Sequence, residues 1–254
     1  MPTEVESLIR AVEEAALNAW PALGVRLHDG WLLRFADGHS KRANSVNPIH
    51  ESTRPLAAKI AACERAYAEC RQPCIFRLTP LARPAGLDAA LAERGYERRD
   101  PTLVLARDLG RGDFRVAPEV TLATTSDDGW LDAFARLSGL AAGERPTLAA
   151  MLARIPGATA FASLAIEGRV AACVLGVRED WMIGIYEVVT DPAQRRRGLA
   201  RKTIETVLAR AAEDGATTAY VQVVAANAPA RALYDGLGYR PLYRYHYRIR
   251  PEMA

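Results

Sequence analysis

Three consecutive arginines, Arg195, Arg196 and Arg197, run into Gly198-Leu199-Ala200 and a fourth arginine, Arg201. They follow a strand-like run ending in Asp191-Pro192 and precede a long helical pattern. Exposed cations at a helix start oppose the macrodipole by about 0.3–1 kcal/mol each. A helix built only for stability would carry acids there. The first turn of a helix also presents backbone N–H groups with no internal partner, and anions settle on them. Gly198 admits unusual dihedrals and close approach, and Ala200 keeps the turn narrow. Together these residues suit a polyanion that brings the compensating charge. A solvated basic loop and a patch for nucleic-acid backbone are the competing readings, and three arginines alone do not separate them.

The elements around the turn follow from periodicity and turn signals. Residues 3–19 read as an amphipathic helix with Leu8, Val12 and Leu17 among acids. Two turn signals, Asp29-Gly30 and Asp37-Gly38, divide a short antiparallel meander. Residues 55–71 read as helix, 74–79 as strand, 87–94 as helix and 102–109 as strand, with a linker over 109–118. In the second half, 128–139 and 146–154 read as helices, and 159–166, 170–177 and 181–189 as strands. A helix over about 199–214 ends before Gly215, as a glycine C-cap suggests. A strand over 217–224, a helix over 228–237 and a strand over 240–249 close the chain.

The two halves echo each other. Gly95-Tyr96 and Gly238-Tyr239 lie 143 residues apart, each after a helix and before a strand. That offset sets Pro55 opposite Gly198, Pro84 opposite Asn227 and Leu91 opposite Tyr234.

The 254 residues, half of them hydrophobic, suffice for one large domain or two small ones. Thirty-three basic against 30 acidic residues give +3, a weak pull toward anions that counts against a nucleic-acid binder. No run approaches the roughly 20 apolar residues of a membrane span, and the start lacks the pattern of a signal peptide. Cys63, Cys70, Cys74 and Cys173 form no C-x-x-C and do not cluster with the four histidines. Reduced thiols, no metal site and a cytoplasmic soluble protein are the expectation.

Arg195-Arg196-Arg197-Gly198-Leu199-Ala200 fits the Q/R-x-x-G-x-G/A turn of the GNAT superfamily of N-acetyltransferases. It follows Glu187-Val188-Val189-Thr190-Asp191-Pro192, as that turn follows the family's fourth strand. Downstream, Asn227 to Tyr239 matches N-x-x-A-x-x-x-Y-x-x-x-G-F/Y. The six-residue turn alone is a weak pattern; joined to the second segment at the right distance it is strong. The resemblance covers about residues 119–250 and implies an α/β (α+β) fold, a mixed central sheet flanked by helices. The first half resembles a truncated copy, as in tandem-GNAT proteins: a degenerate unit over 1–112 and an intact catalytic unit over 119–254. Pro55, at the glycine's place, has no N–H to donate, and Leu91, at the tyrosine's place, cannot donate a proton. No coenzyme is therefore expected in the first half, which would pack on the second and wall the acceptor pocket.

By the resemblance, backbone amides of Arg196, Arg197, Gly198, Ala200 and Arg201 hold the pyrophosphate of acetyl-CoA. Arg195 and its neighbours reach a further phosphate or stay in solvent. Val188 and Val189 border the pantetheine arm, which Asn227 also bonds, though a helix N-cap is its bland role. Tyr234 protonates the leaving thiolate, against the bland reading of a core aromatic. Glu187 acts on the amine directly or through water, against that of a strand carboxylate paired with an arginine. The implied reaction is acetyl transfer from acetyl-CoA to a primary amine by direct attack in a ternary complex. The acceptor would be a small molecule or a peptide or protein amine, with no nucleic acid or membrane involved, and the chain a monomer or homodimer. A non-catalytic acyl-CoA sensor is the alternative, and intact Tyr234 and Asn227 argue against it. On the last strand Tyr243, Tyr245 and Tyr247 share one face, and Arg244, His246 and Arg248 the other. His246 is left off the catalytic list. Trp31, Arg34, Arg42, Asn44 and Asn47 could reach the acceptor site, although a hairpin held by turn asparagines is the simpler reading.

Overall fold

The computed structural model describes residues 3–251. The chain forms two compact units drawn from interleaved segments. Unit 1 comprises residues 1–21, 104–223 and 227–242; unit 2 comprises 22–103, 224–226 and 243–254. The sequence reading cut the chain once, at the 109–118 linker.

In unit 1, α1 (Glu4–Ala19) starts at a capping box: Thr3 accepts from the Glu6 N–H while the Glu6 carboxylate accepts from the Thr3 N–H. Strands β6 (Val120–Ala123), β7 (Ala158–Ile166), β8 (Arg169–Glu179) and β9 (Met182–Thr190) form an antiparallel meander. Strand β10 (Thr218–Val224) adds in parallel to β9. Helices α4 (Asp128–Ser138) and α5 (Arg145–Leu152) lie between β6 and β7, α6 (Leu199–Glu213) between β9 and β10, and α7 (Ala228–Gly236) after β10. Gly176 on β8 shows where α6 sits, because a Cβ there would stand 2.5 Å from Val207 of that helix. The opposite face carries Phe161 of β7, packed edge-on against Trp130 of α4 at 5.0 Å, and Tyr186 of β9, stacked on Trp20 just past α1.

In unit 2, β1 (Gly24–His28) and β2 (Trp31–Phe35) form a hairpin, with Asp29 and Gly30 both at positive φ as a type I′ turn demands. Strand β3 is only Val46–Asn47; it pairs antiparallel with β2 and parallel with β4 (Ile75–Leu78). Helix α2 (Leu56–Glu69) joins β3 to β4, and α3 (Leu87–Glu93) follows β4. Trp31, Leu33, Val46, Ile60, Tyr67, Phe76 and Leu91 pack into its core.

Strands β5 (Glu97–Asp108) and β11 (Arg240–Ile249) explain the interleaving. β11, from the second half of the chain, pairs antiparallel with β4, His246 opposite Leu78. β5, from the first half, lies beside β10, and the Leu109 N–H donates to the Thr217 carbonyl at 2.8 Å. Each half thus gives up its last strand and receives the other's.

The 143-residue offset persists in the backbone. α2 begins one residue after Pro55 and α6 one residue after Gly198. The Lys59 N–H donates to the Pro55 carbonyl and the Lys202 N–H to the Gly198 carbonyl. Tyr96 N–H to Leu91 carbonyl and Tyr239 N–H to Tyr234 carbonyl, both 3.0 Å, close the two matching helix ends. Two elements depart from the sequence reading. β5 starts before Pro101 because that proline needs only its carbonyl, which accepts from the Ala225 N–H at 2.7 Å. β6 went unread: it is four residues long and lacks an alternating pattern.

Candidate active site

Every residue expected at the coenzyme site lies in unit 1. Strands β9 and β10 run parallel with Met182 opposite Thr218 through Ile185 opposite Val221. Parallel neighbours send their following segments out at the same end. The turn after β9 and the start of α7 after β10 therefore leave from one edge, and open sheets bind ligands outside such carboxyl ends.

β9 continues five residues beyond Ile185, and its geometry changes there. Across β8, Leu175 faces Tyr186 and Cys173 faces Val189, so Glu187 and Val188 together oppose Val174. That is a β-bulge, with Glu187 at φ +49. The extra residue inverts the later alternation. Tyr186 and Val189 share a sheet face although they lie three positions apart, and parity counted along the sequence would set them on opposite faces. Glu187, Val188 and Val189 are all half-buried.

After β9 the Asp191 N–H donates to the Ala171 carbonyl at 2.8 Å, and the Asp191 carboxylate accepts from the Ala193 N–H at 2.9 Å. A 3-10 turn over Pro192–Gln194 follows. Arg195 is extended, Arg196 has φ +61 and Gly198 has φ +77. Gly198 is the N-cap of α6 and, lacking a side chain, caps no N–H. A Cβ at Gly198 would meet nothing within 4 Å, so the left-handed backbone rather than crowding calls for glycine. The first i→i−4 bond of α6 runs from the Lys202 N–H to the Gly198 carbonyl at 2.9 Å. The N–H groups of Leu199, Ala200 and Arg201 precede it and have no place in the helical ladder.

The arginine side chains divide into two kinds. Arg197 bonds the Gln194 side chain, and Arg201 bonds Glu205 at 2.8 Å and the Gly236 carbonyl at 3.2 Å. Arg201 thereby ties α6 to the end of α7, and its side chain is engaged within the fold. Arg195 and Arg196 are exposed and make no hydrogen bond or ion pair among the described residues. Asn227 is the N-cap of α7: its Oδ1 accepts from the Ala230 N–H at 3.2 Å. Tyr234, seven residues further, is 5% exposed and packs edge-on against Tyr239 at 5.7 Å.

The sequence reading missed a second pair beside the bulge. Tyr186 of β9 and Tyr220 of β10 meet hydroxyl to hydroxyl at 2.7 Å, both buried. Gly184 makes this possible, since a Cβ there would lie 2.6 Å from both rings. The glycine was visible in the sequence, but its neighbours were not.

Other candidates lie in unit 2. Trp31 is a core residue whose Nε1 donates to the Arg83 carbonyl at 2.9 Å. Asn44 knits its own loop: Oδ1 accepts from the Ala36 and Gly38 N–H groups, and Nδ2 donates to the His39 and Ser40 carbonyls. Tyr243, Tyr245 and Tyr247 are the buried face of β11. His246, on the opposite face, is bonded to Asp88 at 3.1 Å. The four cysteines are free thiols, and burial raises those of Cys63 and Cys173 to about 12. Among the described residues no three His, Cys, Asp or Glu gather as metal ligands, and no helix is long and apolar enough to cross a membrane.

Comparison with known proteins bears on the whole chain. Residues 6–248 match the family model "Probable histone acetyltransferase Rv0428c C-terminal". "Uncharacterized N-acetyltransferase YobR" of Bacillus subtilis is 27% identical, over 95% of this chain and 98% of that one. "Probable histone acetyltransferase Rv0428c" of Mycobacterium tuberculosis is 31% identical, over 97% of this chain and 74% of that one. Among solved structures, a GCN5-related N-acetyltransferase from Kribbella flavida superposes with a TM-score of 0.68 at 18% identity, covering 100% of this chain and 98% of that one. A tandem GNAT protein from the clavulanic acid biosynthesis pathway gives 0.63 at 15% identity, covering 100% and 90%.

Proposed function

The chain belongs to the Rv0428c C-terminal acetyltransferase family of the GNAT superfamily and is an acyltransferase, and from that premise we propose that unit 1 moves an acetyl group from acetyl-CoA to a primary amine. The carrying observation is the turn at Arg196–Gly198: two left-handed residues open a helix whose first N–H groups stand outside its hydrogen-bond ladder, on the segment that follows β9. That donor set fits a diphosphate. Arg196, Arg197, Gly198, Ala200 and Arg201 serve through backbone amides, which agrees with the local bonds of the Arg197 and Arg201 side chains. Arg195 and Arg196 keep mobile charge for a further phosphate.

Acetyl-CoA supplies an acyl carbon activated by a thiolate leaving group. The chain's residues handle the rest. Val188 and Val189 line the arm beside the bulge, where β9 has passed its ladder with β10, and Asn227 bonds the arm from the other strand's end. An alkyl ammonium has a pKa near ~10.4 and attacks only after losing a proton. Glu187 takes that proton, directly or through water. The amine nitrogen bonds the acyl carbon, the carbon–sulfur bond breaks, and Tyr234 donates its phenolic proton to the departing sulfur. Turnover ends when the acylated nitrogen passes its surplus proton to the Tyr234 phenolate, leaving a neutral amide, and Glu187 releases its proton to solvent. The acceptor is a small-molecule amine or a peptide or protein amine.

Calorimetry with acetyl-CoA tests the site. Gly198→Pro removes an N–H and forbids the left-handed backbone, so we expect at least ~100-fold weaker binding, about 2.7 kcal/mol. Unchanged affinity in a folded variant would place the coenzyme elsewhere. Release of free thiol in a screen of amines tests the chemistry, and tight acetyl-CoA binding without release from any amine would favour a sensor.

A further inference from the structure

Unit 2 holds a pocket of about 280 Å³ beyond the point where β4 and β11 stop pairing. That is roughly nine waters' share of liquid volume, room for a molecule of amino-acid size. Its apolar wall includes Leu78, Pro84 and Leu87; its polar wall includes Arg244, His246 and Asp88. Arg244 is exposed and makes no hydrogen bond or ion pair among the described residues.

The other two polar residues are held in place. Asp88 Oδ1 accepts from His246 Nε2 at 3.1 Å and from Arg248 Nε at 2.7 Å. Arg248 is fixed in turn by the Tyr96 carbonyl at 2.9 Å. With Nε2 donating to Asp88, Nδ1 of His246 is left as an acceptor. Burial lowers the His246 pKa, against the pull of Asp88, which keeps the ring neutral. Asp88 stays ionised, its pKa lowered because the Arg248 and His246 bonds outweigh its own desolvation. Asp88 Oδ2 has no partner among the described residues, and the side chain is 49% exposed. One small cavity therefore combines a guanidinium, a carboxylate oxygen, an imidazole lone pair and an aliphatic wall.

A simple anion would use the guanidinium and meet repulsion at Asp88. A simple cation would do the reverse. A zwitterion satisfies both. We propose that this pocket binds a free α-amino acid with an apolar side chain: Arg244 takes the carboxylate, Asp88 Oδ2 and His246 Nδ1 take the ammonium hydrogens, and Leu78, Pro84 and Leu87 cover the side chain. The site lies apart in sequence from the coenzyme turn and does not rest on the acetyl-transfer reading.

The test uses the full chain with isotope-labelled histidine, observed by NMR. Only four histidines occur, so His246 is assigned by comparison with His246→Gln. L-Leucine is the probe; 4-methylpentanoate, which lacks the ammonium, and 3-methylbutylamine, which lacks the carboxylate, are the controls. We expect leucine to shift His246 and to leave His28, His39 and His50 in place. Each control should bind at least ~10-fold more weakly, about 1.4 kcal/mol. Arg244→Gln, at an exposed side chain with no bonds to lose, should fold as the parent and weaken leucine by at least ~10-fold. The proposal is overturned by an unmoved His246 at ~10 mM leucine, by shifts spread over all four histidines, by a control that matches leucine, or by undiminished binding in Arg244→Gln. Leucine bound at a coenzyme-side acceptor site would leave His246 unmoved and so counts among the overturning results.

Discussion

Two tyrosines five residues apart carry different burdens. Tyr234 is proposed to donate a proton, whereas Tyr239 is 1% exposed and its hydroxyl has no hydrogen-bond partner among the described residues. Burial drives the Tyr239 pKa upward and keeps the phenol neutral. A buried orphan hydroxyl costs about 1–3 kcal/mol. Removing it in Tyr239→Phe should leave stability unchanged or raise it by about 1 kcal/mol in urea unfolding. A loss of that size would mean the hydroxyl is bonded after all. Tyr234→Phe should behave otherwise: kcat falls by ~10²-fold while acetyl-CoA affinity holds. Turnover equal to the parent's would strip Tyr234 of the acid role. The arginines show a similar division. All four are basic letters in the sequence, yet Arg197 and Arg201 spend their side chains on Gln194, Glu205 and Gly236. Only the bonds reveal which of them remain available to a phosphate.

At the scale of elements, the site depends on how β9 ends. Its ladder with β10 runs to Ile185, the bulge follows at Glu187 and Val188, and the Tyr186–Tyr220 hydroxyl bond sits between. Gly184 is the weak point, because any Cβ there falls 2.6 Å from Tyr186 Cε2 and from Tyr220 Cζ and its hydroxyl. Gly184→Ala should force both phenols aside and cost about 1–3 kcal/mol in thermal or urea unfolding. A variant as stable as the parent would show that the rings have room to move. Most elements were legible beforehand, since caps and glycine ends are local signals. Gly215 ends α6 as expected, and Asn227 caps α7. The bulge was not legible. Nothing local in Tyr186-Glu187-Val188-Val189 marks an extra residue, because a bulge is defined by the count on the partner strand. The direction of the Glu187 side chain was therefore undecidable from alternation.

For the whole molecule, two copies of one pattern stand in a single chain, and the differences at 55 against 198 and at 91 against 234 are differences in donors. Pro55 opens α2 without an N–H, and Leu91 is fully buried where Tyr234 carries a hydroxyl. On this basis we expect calorimetry to return one acetyl-CoA per chain; a value of two would show that the first half also binds. Short-range chemistry set much of this in advance. Turn residues, caps and hydrophobic period need only neighbours along the chain, so the sequence by itself determined most of the elements, their order, the 143-residue echo and the glycine at the mouth of α6. The exchange of β5 and β11 between the two halves of the chain was decided only by the fold, because either strand satisfies the same ladder and the alternating pattern carries no address. The same limit hid the Asp88–His246–Arg248 cluster: its members lie 158 and 160 residues apart, and only the placing of β11 beside β4 brings them together.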